Sequence, residues 1–191
     1  MVQKRIAFSG AAGTGKSHLA AIVQKALGIP LCPIGSRTVC KEMGFEHAYD
    51  IDAAGKRMEF QRRLCAAKAE WERQHESFVT DRSHLDNLAY TTLHAVDSVD
   101  EEFVGMIRRA NSVYTHVIHV DARAPDAFMD LNDPARHQNR VYHRHYAMLL
   151  AQLWTYYSTF EQLIHFHWLT TPVLAEREEQ VRAFLRVRAS T

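Results

Sequence analysis

Gly10-Ala11-Ala12-Gly13-Thr14-Gly15-Lys16-Ser17 fits the pattern GxxxxGK[ST]. Residues 5–9, Arg-Ile-Ala-Phe-Ser, precede it and read as a strand. Residues 16–27 follow as an amphipathic helix closed by Gly28. Phosphate oxygens need many donors at short range. Glycines let backbone N–H groups crowd around them, and a helix starting at Lys16 turns its positive end toward them. Lys16 supplies a charge for β- and γ-phosphates, and the Ser17 hydroxyl can ligate Mg²⁺. The strand–loop–helix context therefore predicts that Gly10, Ala11, Ala12, Gly13, Thr14, Gly15, Lys16, Ser17 and the adjoining His18 bind ATP with Mg²⁺.

Outward from this loop, apolar runs alternate with helical patterns, and no repeat or low-complexity tract interrupts them. Strands are expected at 30–34, 77–80, 115–120 and 165–170, in addition to 5–9. Helices are expected at 36–43, 52–75, 85–96, 101–110, 140–160 and 174–187. Residues 123–139 are polar, hold two prolines and several basic residues, and read as a mobile segment. The fold class predicted is α/β: a single P-loop NTPase domain over 1–191, with a doubly wound five-stranded parallel sheet flanked by helices and a basic lid at about 123–145.

Composition narrows the setting. The 191 residues carry 23 Lys plus Arg against 22 Asp plus Glu, a formal net charge of +1, so net charge gives no reason to expect a nucleic-acid or membrane partner. The three cysteines form no CxxC pair and match no zinc module, which suits reduced thiols. The twelve histidines include tempting pairs, but none has the HExxH form or a carboxylate at zinc-site spacing. The N-terminus is too short in apolar residues for a signal peptide, and no stretch approaches the roughly 20 apolar residues of a membrane span. A cytoplasmic location is expected.

A second acid is needed near the phosphates. Phe78-Val79-Thr80-Asp81 reads as a strand ending in Asp, followed at once by Arg82. At the carboxyl end of a sheet strand, Asp81 can bind Mg²⁺ through water or take a proton from an attacking hydroxyl, and Arg82 can neutralise phosphate or hold the acceptor. The plain alternative is a strand-end ion pair with a helix cap by Ser83 or Asp86.

Asp81-Arg82-Ser83-x-x-Asp86-x-x-Ala89-Tyr90, after a strand and downstream of the loop, resembles the small kinase-like P-loop family that includes the nicotinamide riboside kinase domain of NadR-type proteins. It is more loosely similar to the DR and ER motifs of thymidylate and deoxynucleoside kinases. Small phage P-loop kinases share the layout, among them those that phosphorylate 5-hydroxymethyluracil within DNA. The resemblance implies metal binding or catalysis for Asp81 and phosphate contact for Arg82. Such kinases often carry an acid at the end of the second strand. Here that stretch reads Cys32-Pro33-Ile34-Gly35-Ser36-Arg37, so either Asp81 is the base, or Asp50 or Asp52 reaches in from the next loop. A loose transition state demands little of a base.

Arg136, Arg140 and Arg144 lie one turn apart, so on a helix they share a face. In nucleotide kinases a basic lid closes over the phosphates. Arg140 and Arg144 are therefore expected to act in catalysis and Arg136 on the nucleotide. Arg37, Gln61, Arg82 and Asp86 are the candidates for acceptor contact. Arg57, Arg62 and Arg63 form either a groove for a polymer such as DNA or, preferably, a solvated face. Trp154, Tyr156, Tyr157 and Phe160 are expected to build core.

Together these readings predict an ATP-dependent kinase with an alcohol acceptor of nucleoside or nucleotide type. The acceptor is free or a hydroxymethylated pyrimidine in DNA, and the enzyme is a monomer or homodimer. The rivals are an ATPase or GTPase switch and a nucleic-acid-binding protein that uses ATP as cofactor. A G protein would carry an NKxD guanine motif, which is absent, and a motor ATPase usually carries a second acid where Arg82 stands.

Overall fold

The computed structural model describes residues 3–46, 48–121, 139–160 and 165–186. Arg123, Arg136 and most of the expected lid lie outside the described residues.

The elements run β1 (Arg5–Gly10), α1 (Lys16–Leu27), α2 (Ser36–Glu42), α3 (Ala48–Ala53), α4 (Arg57–Arg73), β2 (Phe78–Asp81), α5 (His84–Ala95), α6 (Glu101–Asn111), β3 (His116–Val120), α7 (Arg140–Phe160), β4 (His165–Leu169) and α8 (Leu174–Leu185). The described strands form one parallel sheet in the order β2-β1-β3-β4. The chain leaves β1 to one side to form β2, then returns past it to form β3. That reversal opens a crevice at the carboxyl ends of β1 and β3, where the phosphate-loop sequence begins.

Among the described residues the expected five strands become four. Leu31 makes a single parallel bridge to Val79, with Val79 N–H donating to Pro30 O at 2.9 Å and Cys32 N–H to Val79 O at 2.8 Å. Pro30 and Pro33 lack the N–H groups a longer ladder needs, so pairing stops there. The helix expected over 52–75 is two. Gly55 adopts φ 66°, and Gly55 N–H and Lys56 N–H close back on Asp52 O and Ile51 O. This is a left-handed stop that ends α3 before α4 begins.

β1 is apolar on both faces because it is central in a parallel sheet. Ile6 and Phe8 pack with Leu19, Ala20 and Val23 of α1 and with Val181 and Leu185 of α8. Ala7 faces the other layer, with Leu85, Phe103, Ile107, Leu150 and Trp154 of α5, α6 and α7. A smaller cluster of Val39, Cys40, Ile51, Phe60 and Leu64 closes the end formed by α2, α3 and α4. The Trp154 indole N–H donates to Ser9 Oγ at 2.7 Å, tying α7 to β1. Trp154 and Tyr157 are core as expected, whereas Tyr156 is 58% exposed on the outer face of α7. No helix among the described residues is long and apolar enough to cross a membrane.

Two imidazoles of β3, one buried and one half-buried, make stability depend on pH. Burial pushes His119 and His116 each down to about 4. The unfolded chain takes up a proton on such a side chain near pH 6.5, which the folded chain refuses until about pH 4. Stability present at pH 7 is therefore lost as pH falls through 6.5. His119, 2% exposed, contributes about 2 kcal/mol of that loss between pH 7 and pH 5. A urea midpoint clearly lower at pH 5 than at pH 7 is expected. Equal midpoints would contradict the neutral, buried His119.

Candidate active site

Gly10 ends β1 at φ 137°, and a Cβ there would lie 2.4 Å from the Val120 carbonyl oxygen. Only glycine lets the chain turn into the loop while β1 stays paired with β3. Gly13 (φ 77°) and Gly15 (φ 83°) are also left-handed. Gly15 caps α1 with no side-chain hydrogen bond, so the first amides of α1 are not taken by a capping side chain. Such amides form an anion site.

Lys16, 5% exposed, points its ammonium into the loop. Nζ donates to Ala11 O at 2.5 Å and to Thr14 Oγ1 at 3.2 Å. Thr14 Oγ1 donates to the same Ala11 oxygen at 2.8 Å. The loop is also held from behind. Arg177 of α8, 1% exposed, donates from Nη1 to Thr14 O at 2.7 Å and from Nε to Thr171 O at 2.6 Å. No sequence pattern distinguishes Arg177 from the other charges of α8. His18 lies on the outer side, 2.9 Å from Glu178 of α8.

Ser17 Oγ donates to Asp81 Oδ2 at 2.5 Å. The other carboxylate oxygen, Oδ1, is buried and has no partner among the described residues. A hydroxyl and a carboxylate thus converge beside the phosphate loop. No cluster of three or more metal-ligating side chains exists among the described residues. Two protein oxygens suit Mg²⁺, which usually keeps water and phosphate as its remaining ligands.

Arg82 has φ 105°, a conformation that costs a non-glycine residue about 1–3 kcal/mol. Its amide donates to Phe8 O at 2.9 Å. Its side-chain hydrogen bonds among the described residues all use Nη1: Tyr146 OH at 3.2 Å, Asp86 Oδ1 at 3.3 Å and Gly10 O at 3.4 Å. Cζ lies 5.1 Å from the Tyr90 ring centre. Burial works against the guanidinium's charge, but Tyr90, Tyr146, Asp86 and Asp81 outweigh it and hold it protonated.

Asp86 is placed differently from the expected acceptor contact. It is fully buried and completes a capping box with Ser83 at the start of α5. Oδ2 accepts from Ser83 N–H at 3.0 Å and from Ser83 Oγ at 2.7 Å. Oδ1 accepts from Tyr146 OH at 2.9 Å and Gly10 N–H at 3.3 Å, besides Arg82. Five protein donors occupy it, so Asp86 ties β1, α5 and α7 together under Arg82. Burial opposes its ionisation, yet Arg82 and Lys16 hold its carboxyl below the usual range.

Beside Arg82 stand aromatic residues to which the sequence assigns no role. Tyr90 packs 4.2 Å from Tyr146 and 6.5 Å from Tyr142. His94 Nε2 lies 2.8 Å from Tyr142 OH. The signal was helical spacing: Asp86 and Tyr90, and Tyr142 and Tyr146, are four residues apart. Gln61 of α4 is 3% exposed, and its Oε1 has no partner among the described residues. Arg37 is exposed on the first turn of α2, and Arg140 and Arg144 are exposed on the first turns of α7. The α4 arginines are engaged with acids. Arg57 pairs with Asp52, Arg62 with Asp100 and Glu102, and Arg63 with Glu59.

Solved structures of similar fold include a NadR protein in complex with NAD and AMP-PNP, at 12% identity and TM-score 0.66, covering 99% of this chain and 51% of that one. The chain thus spans about half of NadR. Deoxyadenosine kinase from M. mycoides, with dCMP and a flexible dCDP bound, matches at 16% identity and TM-score 0.64, over 95% of this chain and 98% of the other. Shikimate kinase from Aquifex aeolicus vf5 matches at 13% identity and TM-score 0.57, over 95% and 96%. At these identities the likeness establishes the P-loop kinase fold alone. No curated protein matches by sequence. A family model described as an AAA domain matches residues 5–161. With its phosphate loop, Asp81 and strands β1 to β3 inside that span, the chain belongs to the AAA_28 family of P-loop AAA domains.

Proposed function

We propose that this protein is an ATP-dependent kinase that moves the γ-phosphate of ATP to a hydroxyl of a small nucleoside-like acceptor. The observation that carries the reading is the meeting of Ser17 and Asp81 beside Lys16, with the Arg82 guanidinium on the adjoining strand end. The amides of residues 10–17 and the Lys16 ammonium hold the phosphates. Ser17 and Asp81 are the residues that would hold Mg²⁺, which when bound offsets charge on the β- and γ-phosphates. The acceptor oxygen forms a bond to the γ-phosphorus, the bond to the β–γ bridging oxygen breaks, and ADP leaves. The acceptor's proton passes to Asp81 or to water. Asp52 is engaged by Arg57, which favours Asp81 as the base over Asp52. Arg82 meets the charge of the transferring group. Arg140 and Arg144, exposed on the first turns of α7, are proposed as further cations for the transferring group.

The acceptor side favours a flat, partly polar molecule. Tyr90 stands by Arg82 with the Tyr142 ring 6.5 Å beyond it, aromatic surface that suits a flat acceptor, and Gln61 of α4 is kept as a proposed acceptor contact. Pairing of Arg57, Arg62 and Arg63 with carboxylates leaves α4 poorly suited to a polyanion, so a free acceptor is preferred over DNA.

The test is transfer of label from γ-labelled ATP with Mg²⁺ to a panel of deoxynucleosides, nucleoside monophosphates, nicotinamide riboside, and duplex DNA with and without hydroxymethylated pyrimidines. Label on a free acceptor is the expected result. Label confined to modified DNA would reverse the preference between acceptors. Label released only as phosphate, independent of any acceptor, would replace the kinase reading with an ATPase.

A further inference from the structure

A buried polar network lies beneath Arg82, between α4, β2 and α5. Lys68 of α4 is 3% exposed and Glu72, one turn on, is 1% exposed. Lys68 Nζ donates to the Arg82 carbonyl oxygen and lies 3.8 Å from Glu72 Oε1. Thr80 Oγ1 donates to the same carbonyl at 3.3 Å. The other neighbours of Glu72 are fully or almost fully buried. Tyr114 OH donates to Oε1 at 2.9 Å, and His84 Nε2 lies 2.8 Å from Oε2. His84 Nδ1 lies 3.3 Å from Cys65 Sγ.

The protons of this network run in one direction. Burial holds His84 neutral and keeps Cys65 a thiol, pushed up to about 12. The Cys65 S–H therefore donates to Nδ1, and the Nε2–H donates to Glu72. Glu72 thus accepts from His84 and Tyr114 and faces Lys68 across 3.8 Å. The ammonium is left with the Arg82 carbonyl as its direct acceptor. Buried ion pairs add little stability compared with well-packed apolar residues of similar size, so a conformational purpose is the more economical account of this one.

We infer that Lys68 is a positioning residue for phosphate transfer: it grips the Arg82 carbonyl and holds that residue in its left-handed backbone conformation, which sets the guanidinium against Gly10, Asp86 and Tyr146 at the mouth of the phosphate loop. The inference rests on the kinase reading for its effect on rate. Its geometric part, a backbone conformation imposed by Lys68, stands without it.

The experiment is a mutant cycle. Lys68→Met with Glu72→Gln removes the clamp while keeping the network's net charge, and it is compared with wild type in both the native and the Arg82→Ala backgrounds. Expected is a loss of kcat on the order of 100-fold, the effect of a small misplacement of a reacting-site group, with ATP affinity unchanged. In the Arg82→Ala background the further loss should vanish, because Lys68 acts through Arg82. Thr80→Val leaves the ion pair in place and removes the second donor, so it serves if the double variant folds poorly. It should lower kcat several-fold, with the same loss of effect on Arg82→Ala. Wild-type turnover in either variant, or losses that multiply on Arg82→Ala, would overturn the inference. If the wild type transfers no phosphate, the kinase reading fails by itself. A crystal structure of the Thr80→Val and Lys68 variants then decides: Arg82 moved out of positive φ upholds the clamp, and Arg82 unchanged in all of them overturns it.

Discussion

Lys16→Ala should abolish phosphate transfer, lowering kcat by about 10³-fold or more, while the protein still folds. The Lys16 ammonium lies inside the loop at 2.5 Å from Ala11 O, at the N-terminal end of α1, where phosphate oxygens are expected. Alanine keeps the helix start and removes the charge. The fold should tolerate this, because Ala11 O keeps its bond from Thr14 Oγ1 and Arg177 still holds Thr14 O from α8. Gly10 and the pairing of β1 with β3 are untouched. One opposing effect exists: Lys16 helps hold the Asp86 carboxyl ionised, although Arg82 is the larger of the two cations acting on Asp86 and remains. The check is single-turnover transfer beside a thermal melt. Retained turnover in a folded variant would remove the phosphate loop from the mechanism. A variant that fails to fold would show that Lys16 is structural.

The phosphate loop was legible because its chemistry is local. Eight consecutive residues, with a strand before and a helix after, set the glycine turn and the helix start without any tertiary information. Asp81 and Arg82 were legible for a related reason: strand ends in a parallel sheet face one crevice, so an acid at such an end is placed by topology alone. Helix and strand boundaries followed where caps were present, as at Gly28. They were lost where a breaker was overlooked. Gly55 splits the long helix expected over 52–75, and Pro30 and Pro33 shrink an expected strand to one bridge at Leu31. The groups around Arg82 were harder to see, because they come from distant elements. Tyr146 from α7, Tyr90 from α5 and Lys68 from α4 meet only when the layers pack. A tyrosine or lysine on an amphipathic helix carries no mark of which neighbour it will meet. Asp86 shows the converse: it was noted for its place in the motif, but burial decides its role, and it serves the fold beneath the site.

Asp81→Asn should separate metal from nucleotide. Asparagine has the same shape, and its amide oxygen can still accept the Ser17 hydroxyl that now lies 2.5 Å from Oδ2. The negative charge is lost, and an NH₂ group can take the place of one carboxylate oxygen, aiming a donor where a cation would sit. Turnover is expected to fall by about 10²–10³-fold, while ATP affinity measured without Mg²⁺ stays unchanged. Raising Mg²⁺ then distinguishes the two roles open to Asp81. A weakened metal site, with affinity lowered by about 10–100-fold, is refilled at high Mg²⁺ and turnover recovers. A missing base is not restored by metal, and its loss would instead remove an acid limb from the pH–rate profile. The buried Oδ1 without a described partner, next to the Ser17 hydroxyl, favours recovery with Mg²⁺. Near-normal turnover of Asp81→Asn at ordinary Mg²⁺ would assign neither role to Asp81, and the catalytic acid would then have to be sought at Asp50 or outside the described residues.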